Sequence, residues 1–423
     1  MNPILPQHYY IPDVEARQWR DGRIYLYGSF DISGNTDYCC EKYHVFSSKD
    51  MKNWHDHGPS FDTSICHSKG AHRLFAPDCF EKSGTYYLLY CGDNGSEGIA
   101  ASSTPAGPFQ DARPIKGADG DGIDPAAFVD DDGSVYYFWG QFKLRGARLK
   151  PDLCTIDKAT LQPELLTESA HGFHEGASIR KRDGIYYMLY TDISRGRATS
   201  LAYATSDHPL GPYHKQGIIL DNTGCDPETW NNHGSMACFN GSWYLFYHRS
   251  SQASRYNRRV CVEPLHFKSD GSIDEIEMTT QGTSAPLPAN TKLDAFRTCR
   301  IEGGAYTLPL FPDQPTNDYP EILTWTHNGD SAAYKYLNFT DGLRRFSATV
   351  ASATGGGTIE VRIGAADGTL LCSCNIPNTG GWRIWAEIEA ELLQDITGIH
   401  ALYLVFKGGV GRLVDIMDFC FKQ

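Results

Sequence analysis

Nowhere in the 423 residues do 18 apolar residues run together, so no membrane-spanning helix is expected. The opening stretch, MNPILPQHYYIPDVEARQW, has no basic segment followed by a long apolar one and does not read as a signal peptide. Positive charge is scarce: 38 Lys and Arg face 51 Asp and Glu, a net charge of −13. That balance argues against nucleic acid, an anionic membrane or a polyanion as partner. The 13 cysteines are odd in number, include the adjacent Cys39 and Cys40, and form no CxxC pair. Neither a disulfide framework nor a zinc site is expected. Reduced, buried thiols in a cytoplasmic protein are. A long helical period is also missing, although GWRIWAEIEAELL suits either a short helix or a strand.

What the chain has in quantity is aromatic side chains, 12% of residues, and a repeat. A turn with glycine followed by an alternating aromatic strand occurs five times: DGRIYLYGS from Asp21, SGTYYLLYC from Ser83, DGSVYYFWG from Asp132, DGIYYMLYT from Asp183 and NGSWYLFYH from Asn240. The glycines Gly22, Gly84, Gly133, Gly184 and Gly241 are 62, 49, 51 and 57 residues apart. Asp-Gly, Ser-Gly and Asn-Gly ahead of such strands are hairpin chemistry. Units of this length with several strands match propeller blades of four strands each. Five ordered copies favour a five-bladed β-propeller over residues 1–292, rather than a sandwich with chance similarity. Near residue 285 the pattern changes. SAPLPANTKLDAF reads as a linker, and short strands separated by glycine turns, such as TGGGT from Thr354, follow it. Residues 293–423 are therefore expected to form a jelly-roll-like β-sandwich, which makes the whole chain all-β.

Three acidic residues share one register. Asp13, Asp124 and Glu175 each stand eight residues before a repeat turn, at Asp21, Asp132 and Asp183. The repeat thus puts three carboxyls on the innermost strands of blades one, three and four, around one axis. Blades two and five carry Phe75 and Asn232 there, with His233 next in sequence. A single acidic residue is ordinarily a turn or surface group, as Asp130, Asp131 and Asp132 are read. Three at one register suit glycosidic hydrolysis, in which one carboxyl protonates the leaving oxygen and another activates water. The third can hold the acid protonated and orient it.

The propeller region resembles glycoside hydrolase family 43. The matching strings are YIPDVEARQWRDGRIYLYGS, RLFAPDCFEKSGTYYLLY, GIDPAAFVDDDGSVYYFWG, FHEGASIRKRDGIYYMLY and NNHGSMACFNGSWYLFYHR. The resemblance implies an inverting enzyme, with Asp13 as general base, Asp124 as pKa modulator and Glu175 as general acid. An inverting pair is expected roughly 6.5–9.5 Å apart, to leave room for the water. The resemblance also implies that His233 supports the site, beside a water network or a water-coordinated calcium, although the chemistry itself requires no cofactor and no EF-hand-like loop is visible. It further implies a site arginine at Arg258, with Arg259 as the alternative register. Phe75 and Trp230 are candidates to line the pocket against sugar, and Trp139 is read as core.

The C-terminal stretch resembles carbohydrate-binding module family 6, through FSATVASATGGGTIEVRIG, NIPNTGGWRIW and HALYLVFKGG. The resemblance implies a sugar-stacking pair of Tyr336 (or Tyr334) with Trp382. Asp415 stands where that family usually has an asparagine, which favours a packing domain over a binding one. The expected activity is exo-acting release of pentose from hemicellulose oligosaccharides. α-L-Arabinofuranosidase comes first, then β-xylosidase or a bifunctional enzyme, then a galactosidic or galactofuranosidic glycosidase, and last a non-catalytic sugar-binding propeller. The expected partner is the oligosaccharide substrate, with neither nucleic acid nor membrane, and the sequence leaves the oligomeric state open.

Overall fold

The computed structural model describes residues 1–118, 122–311, 320–354 and 356–423. Gly120 and Asp121, which precede the GIDPAAF string, and Gly355 of the TGGGT turn lie outside them.

Five antiparallel sheets succeed one another along the chain. Blade one comprises Glu15–Gln18, Ile24–Gly28, Lys42–Ser48 and His55–Asp62. Blade two comprises Asp78–Lys82, Thr85–Cys91, Glu97–Ser102 and Gln110–Pro114. Blade three comprises Ala126–Val129, Val135–Trp139, Lys143–Arg148 and Gln162–Thr167. Blade four comprises Phe173–Arg182, Ile185–Asp192, Ser200–Ser206 and His214–Asp221. Blade five has three strands, Ser235–Phe239, Ser242–Ser251 and Ser254–Leu265. The N-terminus lies against its outer edge: the Ile4 N–H donates to Val260 O, and the Asn2 side chain bonds both backbone groups of Val262.

The repeat turns come in two kinds. In blades two, four and five the pairs Lys82–Thr85, Arg182–Ile185 and Phe239–Ser242 close two-residue hairpins. Their central residues Ser83–Gly84, Asp183–Gly184 and Asn240–Gly241 all have positive φ, the I′ geometry that Gly and Asn favour. In blades one and three the pairing resumes at Gln18–Ile24 and Val129–Val135, across longer loops.

Each blade packs on the next, so strands such as Ile24–Gly28 are buried on both faces. Tyr27 and Tyr43 meet Leu88 and Tyr90 between blades one and two. Phe80 and Leu89 meet Tyr137 and Trp139 between two and three, as expected of a core Trp139. Phe138 meets Ile179 and Met188, Leu189 meets Leu245, and Phe246 meets Leu26, which closes the ring. Full burial of each such side chain contributes roughly 1.5–3 kcal/mol. The axis itself is lined by charge: Arg180 pairs with Glu15, and Arg17 with Asp78.

The remaining strands form a two-sheet sandwich, and the first to join it is Leu287–Pro288. One sheet runs Leu287–Pro288, Ser331–Phe339, Gly398–Lys407, Thr358–Ile363, Thr369–Asn375; the other runs Tyr306–Pro309, Glu321–Thr324, Asp415–Lys422, Arg345–Ser352, Gly381–Glu391. The ambiguous GWRIWAEIEAE segment is the strand Gly381–Glu391. The sandwich is docked rather than tethered. Its Ala333 and Cys299 complete the core between blades four and five, and Arg259 of blade five pairs with Glu321. Thirteen cysteines are free, and no helix among the described residues is long and apolar enough to cross a membrane.

Candidate active site

The repeat register converges at one end of the channel. A cavity of about 210 Å³ is lined by Asp13, Phe75, Asp124, Glu175, Trp230, His233 and Arg258, among others. These are all seven of the propeller positions singled out in the sequence. Their backbone setting differs from the expectation in one respect. Asp13 and Asp124 lie just ahead of the innermost strands rather than on them, both with left-handed backbone (φ 56° and 54°). Glu175 lies within its strand, beside Gly176 at φ 69° and at a break in the pairing register. Left-handed non-glycine residues and bulges are strained or irregular backbone that re-aims a side chain, and such features gather at functional sites. Here they turn the three carboxyls into the cavity mouth.

Asp13 is 6% exposed and tightly held. Arg258 Nη1 donates to its Oδ1 at 2.9 Å, Ser29 Oγ donates to Oδ2, and His248 Nδ1 lies 3.4 Å from Oδ1. Burial alone would raise its pKa, but the Arg258 guanidinium, aided by His248 and His233, carries the carboxyl well below the usual range. Asp13 is therefore an ionised carboxylate able to accept a proton. Arg258 is itself fixed by Asp31, whose carboxylate takes its backbone N–H, Nε and Nη2 at 2.9–3.0 Å. Of the two candidate arginines, Arg258 is the one that reaches the cavity. Arg259 points the other way, as alternate residues of a strand must.

Asp124 behaves oppositely. Burial first, then the neighbouring carboxylates of Glu175 and Asp13, push its pKa well above the usual range. Asp124 therefore retains a proton where an isolated aspartic acid would not. Glu175 receives the Gln141 amide at 2.7 Å on Oε2. His233 sits between the groups, its Nδ1 4.0 Å from Asp13 and 3.8 Å from Asp124, with its pKa lowered by burial. Asp13 is thus ionised and Asp124 protonated at the edge of a cavity that can admit a sugar ring. The mouth carries aromatics: Tyr38 lies under the Arg258 guanidinium, and the half-exposed Trp230 stacks on Arg255 at 4.5 Å.

The sequence reading missed His248, Asp31, Ser29 and Gln141. His248 was within reach, since it ends the fifth repeat strand in NGSWYLFYH. Among the described residues no group of three His, Cys, Asp or Glu side chains is gathered to hold a metal, so a calcium ion at His233 would have to be held through water.

In the sandwich, the expected pair does not form. Tyr336 faces the propeller and donates to Glu277 at 2.6 Å, while Tyr334 is fully buried with its O–H on Ala295 O. The irregular pairing between Tyr334 and Leu337, together with docking of this strand on Thr280, explains the orientation. Trp382 instead stacks on Arg412 at 3.9 Å, and Trp325 lies 5.2 Å from the same guanidinium. Arg412 fills the space between the two indoles and is paired with Asp415.

A five-bladed propeller whose cavity brings together an ionised Asp13, a protonated Asp124 and Glu175 holds the groups that glycoside hydrolysis uses. Residues 1–273 match the family model for glycosyl hydrolases family 43, and 313–423 match that for carbohydrate binding module family 6. The chain belongs to glycosyl hydrolases family 43. A xylosidase/arabinosidase of Thermoclostridium stercorarium is 29% identical, over 99% of this chain and 98% of that protein. An arabinoxylan arabinofuranohydrolase of Bacillus subtilis is 28% identical, over 100% and 92%. The crystal structure of a family 43 arabinoxylan arabinofuranohydrolase from Bacillus subtilis, in complex with cellotetraose, superposes with a TM-score of 0.56 at 28% identity, covering 100% of this chain and 97% of that one.

Proposed function

We propose that the protein is an exo-acting, inverting glycosidase that releases terminal pentose from hemicellulose oligosaccharides, with α-L-arabinofuranosyl groups as its first substrate. The observation that carries this reading is a cavity of about 210 Å³ in the propeller, room for about one sugar ring, in which Asp13, Asp124 and Glu175 meet. Asp13, kept ionised by Arg258, takes the proton of a water that attacks the anomeric carbon. Glu175 delivers a proton to the departing glycosidic oxygen from the opposite face, and Asp124 keeps that proton available. The steps run on carboxyl groups and water and call for no cofactor. Trp230 and Phe75 offer faces for the sugar to lie against. The free thiols support a reducing, cytoplasmic setting for the reaction.

β-Xylosidase activity is the second reading, because the names of the Thermoclostridium stercorarium and Bacteroides ovatus relatives pair the two activities. A galactofuranosidase reading follows, from the β-D-galactofuranosidase of Aspergillus niger at 28% identity. A purely sugar-binding propeller comes last, since binding needs no carboxyl trio. The test is a panel of nitrophenyl arabinofuranoside, xyloside and galactofuranoside, with anomers followed by NMR. Arabinose released first with inverted configuration is expected. Inactivity across the panel, or retained configuration, overturns the reading. Asp13→Asn and Glu175→Gln are expected to abolish release with the fold intact.

A further inference from the structure

Two consecutive arginines of the strand Ser254–Leu265 face opposite ways. Arg258 reaches into the channel to Asp13. Arg259 reaches into the sandwich, where both its Nη atoms donate to Glu321 at the start of the strand Glu321–Thr324. Arg259, Glu321, Arg258 and Tyr10 are all nearly inaccessible, at 3%, 2%, 2% and 1% exposure. Tyr10 joins the two sides. Its O–H donates to Glu321 at 2.8 Å and accepts from Arg259 at 2.5 Å and from Gln252 at 2.7 Å. Its ring lies under the Arg259 guanidinium at 4.2 Å.

The same Tyr10 is three residues ahead of Asp13. Its carbonyl accepts the Asp31 N–H at 2.8 Å, and the Asp31 carboxylate grips Arg258. A continuous set of bonds therefore runs from Glu321 through Arg259 and Tyr10 to Asp31, on to Arg258 and so to Asp13. A buried ion pair is by itself weak evidence for stability, because well-packed apolar groups often serve as well. This one sits where it fixes the chain segment carrying a left-handed catalytic residue.

We propose that Glu321, contributed by the sandwich, is a positioning residue for Asp13 and acts through Arg259 and Tyr10. The sandwich thereby has a role in the reaction whether or not it binds sugar. The inference rests on the reading of Asp13 as general base. The charged and titratable groups facing Asp13 are Arg258, His248, His233, Asp31, Asp124 and the Cys39 thiol. Of these, Arg258 and Asp31 belong to the bonded set that Glu321 anchors.

The experiment uses the full-length protein with Glu321→Gln, Tyr10→Phe and Asp13→Asn. kcat, KM and the pH profile on the best nitrophenyl glycoside are measured beside the melting temperature. Glu321→Gln is expected to lower kcat roughly 10- to 100-fold with KM changed by less than about twofold, as for a misplaced reacting group. The acid limb of kcat/KM is expected to move to higher pH as the hold of Arg258 on Asp13 loosens. Tyr10→Phe leaves the Arg259–Glu321 ion pair in place and is expected to shift both quantities in the same direction, so the inference stays testable if Glu321→Gln fails to fold. A lowered melting temperature with unchanged kcat and acid limb in the folded variants overturns the positioning role, while an inactive Asp13→Asn preserves the general-base reading. Activity retained in Asp13→Asn overturns that reading, and this inference with it.

Discussion

Arg258 donates to Asp13 at 2.9 Å through Nη1, while its Nε, Nη2 and backbone N–H donate to Asp31 and Nη2 also points at Cys39. The guanidinium is fixed from behind, so the ionised state of Asp13 is built in rather than induced by substrate. Lysine has a single compact charge and cannot serve both carboxylates in this fork geometry. Arg258→Lys is therefore expected to let burial dominate at Asp13 and raise its pKa. Protonating the base removes activity, so the acid limb of kcat/KM should move upward and the loss should be larger near pH 5 than near pH 8, on the order of tenfold or more at the acid end. A pH–rate profile checks this. An unmoved acid limb counts against Arg258 as the group that keeps Asp13 charged.

Gly176 permits the close approach of Glu175 to His233. A Cβ built there would lie 2.9 Å from Thr191 Oγ1 and 3.1 Å from His233 Cγ, and its φ of 69° disfavours any side chain. Gly176→Ala is expected to cost about 1–3 kcal/mol of stability. It should also lower kcat, since His233 and Glu175 would have to part. Urea unfolding and kcat measured together check both halves. A fully active variant of unchanged stability would show that the site tolerates a displaced His233.

The propeller and its carboxyls were legible because a repeat ties local pattern to position around an axis. Asp13, Asp124 and Glu175 share an offset, so one sheet architecture places all three. The partners that tune them do not share it. Asp31 comes from the loop after the second strand of blade one, Gln141 from the loop after Trp139, and His248 from the middle strand of blade five. Only the closing of the ring brings them to the carboxyls. Tyr336 was misread for a related reason. In a strand with irregular pairing, sequence alternation no longer tells which face a residue takes, and here the propeller claims it. The division into 1–292 and 293–423 stays a proposal, because Leu287–Pro288 pairs with the sandwich, while the loop before it bonds to Ile219 of blade four, to Glu263 of blade five and to Lys335 of the sandwich.

Arg412 stands where a sugar ring would stack between Trp325 and Trp382. Its Nε donates to Asp415 at 3.1 Å and its Nη2 to Thr324 at 3.0 Å, so moving it aside would strand a fully buried carboxylate. The wild-type sandwich is accordingly expected to bind neutral xylooligosaccharides poorly at this end. Removing the plug and the charge together, in Arg412→Ala with Asp415→Asn, should open the gap and improve affinity about tenfold or more, as expected of a newly exposed aromatic platform. Isothermal titration on a background of Glu175→Gln, to prevent turnover, reads the change, and Trp382→Ala should remove it. Equal affinity with and without Arg412 would mean the gap is not a sugar site.

Glu97 is a further carboxyl beside the site. It lies on the strand Glu97–Ser102 of blade two, 7% exposed, and a Cβ on Gly122, two residues from Asp124, would fall 2.8 Å from its Cδ. Burial, only partly offset by Tyr137 and Arg145, pushes its pKa up from 4.5 to about 7. The folded protein therefore holds a proton that the unfolded chain releases above 4.5. Stability from this group is fully present below that value and is lost as pH rises through 7. Glutamine keeps the shape and is neutral throughout, so Glu97→Gln should escape the loss. Between about pH 5.5 and 8.5 the stability of the variant should gain on the wild type by about 2 kcal/mol. Urea midpoints at the two pH values decide the matter. Parallel stability curves would mean that Glu97 is ionised and paired in the folded state, and its influence on Asp124 would then be that of a full negative charge.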